Sequence, residues 1–206
     1  NIAIGYSALS TEDGNGYNVA IGSYALQDQN AGADAYNIAI GHNAGKEVTT
    51  GTNNVLIGGN TGVALTTGSD NIAIGKATLA TEDAHGRNIA IGSGALYYLN
   101  AGIDAQNVAV GYQAGAAMTT GQYNILLGGE CGDGLTTGTK NIAIGFRALG
   151  AEDAHGRNVA IGYYALAVQN AGADAYNVAI GYYTGKAITT GVRNVIMGGL
   201  AGDALT

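Results

Sequence analysis

Twelve times along the chain an asparagine is followed by three apolar residues, aliphatic at the first and third, and then glycine, from NIAIG at 1–5 to NVIMG at 194–198. The second and fourth positions are Ile, Val, Leu or Met in every copy, and the position between them is alanine in nine. Alternation at period two with β-branched side chains predicts a short β-strand. Its two faces are unequal. One carries paired aliphatics such as Ile2 and Ile4, and the other a lone alanine such as Ala3 that permits close approach on that side.

The copies start at Asn1, Asn18, Asn37, Asn54, Asn71, Asn88, Asn107, Asn124, Asn141, Asn158, Asn177 and Asn194, so the spacing runs 17, 19, 17, 17 and then begins again. A fixed period of this size predicts a solenoid, in which each coil buries its apolar face against its neighbours. The fold expected is all-β: a parallel β-solenoid, or β-roll, of twelve coils of 17–19 residues, forming one array over 1–206. Four coils make a super-repeat, giving 1–70, 71–140 and 141–206. Stacked asparagines can bond along the axis while capping turn backbone, so the twelve are read as a structural ladder.

Glycine always closes the strand, as at Gly5, Gly22 and Gly41, and predicts a sharp bend. Small residues that follow (Ala8, Ala25, Thr61, Cys131, Ala165) predict a second strand, with Cys131 as packing filler in an alanine slot. Thr-Thr-Gly, Glu-Asp with a later glycine, and NAGxDA close the different coils as corners or loops. In every fourth coil the strand alanine becomes Leu56, Leu126 or Ile196, and the residue after the bend becomes Gly59, Gly129 or Gly199. Gained volume matched by lost volume suggests that these two positions touch.

Composition removes several function classes. Net charge is −7 with no Lys/Arg cluster, which argues against nucleic acid. Glycine or a polar residue interrupts every apolar run, so no segment reads as membrane-inserting. One cysteine cannot form an internal disulfide. No nucleophile–base pair, phosphate loop or standard metal motif is present, and no enzymatic activity is expected. Solenoid ends need caps and neither end supplies one, so the chain is expected to be a piece of a longer protein.

The repeats NIAIGYSAL, NVAIGSYAL, NIAIGHNAG and NVAIGYYAL resemble those of trimeric phage tail fibres and, more loosely, the YadA-like heads of bacterial trimeric autotransporter adhesins. The resemblance covers all twelve coils and implies three chains packed around one axis, with Ile2, Ala3 and Ile4 in or beside the trimer interior. It implies an extracellular location on a virion tail fibre, or alternatively a bacterial surface. The function expected is a structural segment of a homotrimeric fibre that spaces or presents a receptor-binding tip for host attachment. Apolar or alanine positions occur on both strand faces, so one face can line the roll while the other needs a partner, and two Ile or Val per coil, each contributing roughly 1.5–3 kcal/mol when buried, would drive that self-association.

If the segment itself contacts a cell-surface glycan or protein receptor, aromatics and the longer loops are the places to look: Tyr97, Tyr98, Asn100, Asp104, Tyr163, Tyr164, Asn170 and Asp174. The constellation Glu82, Asp83, His85 and Arg87, repeated at Glu152, Asp153, His155 and Arg157, has the residue types for acid–base or anion chemistry. The first super-repeat has Asn15 and Tyr17 instead, and the group is read as solvated corner charge. No cofactor is expected. Calcium shared between Asp34, Asp104 or Asp174 and the Glu-Asp pairs is the one ion weighed, though neither a glycine-rich calcium nonapeptide nor an EF-hand loop is present. Threonine columns at Thr49–Thr50 and their equivalents raise ice binding as a function of another class, but adjacent threonines point to opposite faces.

Overall fold

A computed structural model describes residues 1–14 and 16–205, so the Asn15 position lies outside the described residues. The strands are β1 (Ile2–Ile4), β2 (Val19–Ile21), β3 (Ile38–Ile40), β4 (Val55–Ile57), β5 (Ile72–Ile74), β6 (Ile89–Ile91), β7 (Val108–Val110), β8 (Ile125–Leu127), β9 (Ile142–Ile144), β10 (Val159–Ile161), β11 (Val178–Ile180) and β12 (Val195–Met197). They pair in sequence order as one parallel sheet, without crossover. Register is column on column: Ile2 opposite Val19, Ala3 opposite Ala20, Ile4 opposite Ile21. The all-β solenoid read from the sequence is the observed fold.

Asparagine fixes that register. The side-chain carbonyl of each asparagine accepts the backbone N–H of the next, 2.9 Å for Asn1 to Asn18 and 2.8 Å for Asn37 to Asn54. The link continues without a gap through Asn177 to Asn194. In most coils the amide nitrogen turns back to a carbonyl fourteen residues on, as Asn54 does to Gly68 at 2.9 Å and Asn124 to Gly138 at 2.9 Å. Each such side chain thus closes its own coil and bolts it to the next. Amide-to-amide bonds, the arrangement expected from the sequence, join only some pairs, such as Asn54 to Asn37.

The alanine face of the strand points into the coil. Ala20, Ala39, Ala73 and their equivalents in the interior coils are fully buried, whereas the flanking Ile and Val side chains lie half-buried to exposed on the outside. After the strand the chain turns at glycine with φ near +137° at Gly5, where a Cβ would stand 2.5 Å from the Gly22 carbonyl oxygen. No second strand follows among the described residues. Left-handed residues at Ser7 and Leu9, and at the equivalent positions of later coils, keep this stretch as a run of turns, although its backbone still bonds to the next coil.

The core has four inner columns. Besides the strand residue they are the small residues (Ala25, Thr78, Cys131), a Leu or Gly position (Leu26, Gly45, Gly62, Leu79), and a position eleven residues after each asparagine (Val48, Leu65, Leu99, Met118, Leu135, Ile188). Every fourth coil resolves the volume question differently from the sequence expectation. A Cβ on Gly45 or Gly62 would meet the Leu56 methyls at 2.6 and 3.0 Å, while one on Gly59 finds only the His42 carbonyl, at 4.0 Å. The large strand residue is accommodated by glycine where other coils carry Leu9, Leu26 or Leu79, and not by the glycine after the bend.

Three consequences can be measured. Asn124→Ala strands the Asn141 N–H and the Gly138 carbonyl inside the coil, and should lower stability in denaturant unfolding by about 2–5 kcal/mol. Ala143→Leu should cost about 1–3 kcal/mol by overpacking against Leu149, with Leu149→Gly restoring part of the loss and Phe146→Gly none. Burial pushes the Cys131 thiol up to about 12, and its Sγ–H donates to the Ala143 carbonyl at 2.9 Å. Cys131 should therefore resist a disulfide reagent at pH 8 in the folded chain and react on unfolding, since only thiolate attacks.

Candidate functional site

The largest unsatisfied feature of the surface is the outer face of the sheet. Its first column runs Ile2, Val19, Ile38, Val55, Ile72, Ile89, Val108, Ile125, Ile142, Val159, Val178, Val195, and its second Ile4, Ile21, Ile40, Ile57, Ile74, Ile91, Val110, Leu127, Ile144, Ile161, Ile180, Met197. All 24 positions are aliphatic. Stacking hides their sides but not their tips: Ile38, Ile40 and Ile125, in the middle of columns, remain 36–39% exposed. With coils about 4.8 Å apart, the strip is about 53 Å long and about 10 Å wide, roughly 500 Å². That is at the upper end of what a lone soluble chain commonly presents to water.

Aromatics border this strip directly after the glycine bend. Phe146 stacks on Tyr163 and Tyr163 on Tyr182, with centroids 5.6 and 5.5 Å apart, and Tyr164 stacks on Tyr183 one position further on. Lys186 lies over the Tyr183 ring at 4.4 Å. Tyr97 and Tyr98 form a separate edge-to-face pair, 4.6 Å apart, later in their own coil. The tyrosines singled out from the sequence therefore stand in two different places, one column bordering the aliphatic strip and one pair away from it.

The loop residues are likewise partly engaged. Asn100 and Asn170 are exposed but tied through their backbone N–H groups to Thr119 and Thr189. Asp104 accepts the Gly86 N–H at 3.1 Å and pairs with Arg87 at 3.0 Å. Asp174 repeats this with Gly156 and Arg157. Both carboxylates thus brace the neighbouring corner. The threonine columns are tied along the stack: Thr49, Thr66, Thr119 and Thr136 donate their hydroxyls to carbonyls of the next coil.

The Glu-Asp corner departs most from the sequence reading. Glu82 and Glu152 are fully buried and are not solvated corner charge. They occupy the inner column that holds Leu65, Leu99 and Leu135 in nearby coils. Glu82 Oε1 accepts the His85 N–H at 3.3 Å, and Glu152 that of His155 at 3.2 Å. Oε2 of each acid has no hydrogen-bond partner, and neither has Nδ1 of His85 or His155. Burial, outweighing the His85 N–H that opposes it, pushes Glu82 up to about 7; burial raises Glu152 in the same direction. A column-by-column alignment of the coils would have found this, because the acids fall in register with Val48, Leu65, Leu99, Met118, Leu135 and Ile188, as do the buried Gln29 and Gln169.

No helix among the described residues is long and apolar enough to cross a membrane. Comparison with protein-family models, curated proteins and solved structures finds no match.

Proposed function

We propose that this chain is a structural segment of a homotrimeric extracellular fibre, of the phage tail-fibre kind, that spaces or presents a receptor-binding tip for host attachment. The observation that carries the reading is the uncharged aliphatic strip, two side chains wide and twelve coils long. A strip with the same pitch on every copy mates with itself in register over its whole length, and closed symmetry leaves none of it facing water. At about 25 cal/mol per Å², hiding roughly 500 Å² per chain contributes on the order of 10 kcal/mol before the cost of association.

The inner construction suits a spacer. Each coil hydrogen-bonds to the next through the strand, the turn run and the asparagine link, so load along the axis is shared by many parallel bonds. The two sites named for receptor contact are subordinate in this reading: the aromatic column of Tyr163 and Tyr164 flanks the strip and would be covered in part by neighbouring chains.

Sedimentation of the folded native chain at micromolar concentration should give a three-chain particle. Ile89→Lys combined with Ile91→Lys places two cations on the strip of one coil, where they remain solvated in a single chain. That variant should sediment as a monomer with its β circular dichroism retained. A native chain that is folded and monomeric at the same concentration would overturn the proposal.

A further inference from the structure

We propose that the corner formed by Glu82, Asp83 and His85, with its copy at Glu152, Asp153 and His155, binds a divalent transition-metal cation of the zinc class, one ion per corner. One ligand atom of each residue in a set lies within 4.8 Å of the others. The decisive feature is the placement of the acid. Glu82 stands between Leu65 and Leu99 in its column, and Glu152 between Leu135 and Gln169; both acids are fully buried, and Oε2 of each has no hydrogen-bond partner. The neighbouring cation does not serve it, because Arg87 is held by Asp104. A buried carboxylate is costly unless a positive charge meets it, and the group that faces each acid is the imidazole three residues on, beyond hydrogen-bond distance of it.

Histidine completes the set. Nδ1 of His85 is 3.8 Å from Glu82 Oε1, and Nδ1 of His155 is 3.5 Å from Glu152 Oε1, both unpartnered and pointing toward the acid. Two ligands on one tetrahedral zinc, with bonds of about 2.0–2.1 Å, stand about 3.3 Å apart. Closing the glutamate–histidine pair therefore needs a movement of about half an ångström or less, and the Asp83 or Asp153 carboxylate, within 4.8 Å of both, moves in to complete the set. Asp83, exposed, supplies the outer carboxylate. Its backbone carbonyl accepts the Thr66 and Thr67 N–H groups and the Thr66 hydroxyl, which fixes the corner to the preceding coil.

Donor chemistry selects the ion. An imidazole nitrogen with two carboxylates suits zinc and its first-row neighbours, whereas calcium and magnesium prefer all-oxygen shells. Asp104 and Asp174 do not join, being committed to arginine and backbone N–H groups. The first super-repeat keeps Glu12 and Asp13 but has asparagine in place of the histidine, so the chain carries two sites and not three. They are four coils apart, about 19 Å, and act independently.

The test titrates chelator-treated full chain with ZnCl₂ by calorimetry, and with Co²⁺ by its visible absorption. The native chain should take up two ions, His85→Ala one, and His85→Ala with His155→Ala none, while His42→Ala keeps two. Glu82→Gln with Glu152→Gln, checked for fold by circular dichroism, should also abolish uptake. No saturable uptake by the native chain, full uptake by the double histidine variant, or full uptake by the folded double glutamine variant would each overturn the assignment. Because His85 is partly exposed at the surface, its removal spares the core, and the histidine arm stands even where the glutamine variant fails to fold.

Discussion

The bond on which the structure depends is the one from each asparagine carbonyl to the backbone N–H of the next asparagine. It is buried in the interior coils, so water cannot replace it, and an unmet partner would carry its full desolvation cost. Its length is held at 2.8–3.1 Å along the chain, even across the two-residue insertions at Asn37, Asn107 and Asn177. Insertions are therefore expelled to the corner, where NAGxDA bulges outward while the strand keeps its register. Coil pitch is set at one residue, and the other positions have to fit it.

Fitting it requires a narrow coil. Glycine after the strand lets successive backbones approach so closely that a Cβ would overlap the carbonyl of the next coil. Left-handed leucines at Leu9, Leu26, Leu79, Leu96, Leu149 and Leu166 then turn the chain inward again. A left-handed residue with a Cβ costs about 1–2 kcal/mol, and burying leucine contributes about as much or more. Where the strand itself supplies the bulk, as at Leu56 or Leu126, glycine takes the turn and the strain vanishes with the side chain. The interior keeps its volume while the residues that fill it change places.

Period-two alternation, the invariant glycine and the fixed spacing made the strands, their register and the solenoid legible in the sequence. What was not legible depended on angles and depth. A stretch such as YSAL reads as extended by composition, but left-handed conformations at Ser7 and Leu9 cannot be seen in residue types. Gly59 reads as the partner of Leu56 because it is three residues away, whereas the real partners, Gly45 and Gly62, are set by where the leucine side chain reaches across two coils. Glu82 reads as a corner charge because it precedes Asp83. Depth separates the two: Glu82 is fully buried and Asp83 beside it is exposed.

A stack of coils turns every position into a column, so a single substitution is repeated or contradicted by the residues above and below it. Positions that define the pitch tolerate no variation: asparagine and the strand glycine recur in all twelve coils. Columns that only need volume exchange Ala for Leu and Leu for Gly by rule. The acids at Glu82 and Glu152 fit neither category, since they answer to no partner in their own column and do not fill it better than leucine would. Close beside each acid stand the histidine three residues on and the adjoining aspartate. An array whose coils are otherwise interchangeable for packing thus carries a chemical feature on a four-coil period, and the corner, not the strand, is where the coils differ in kind.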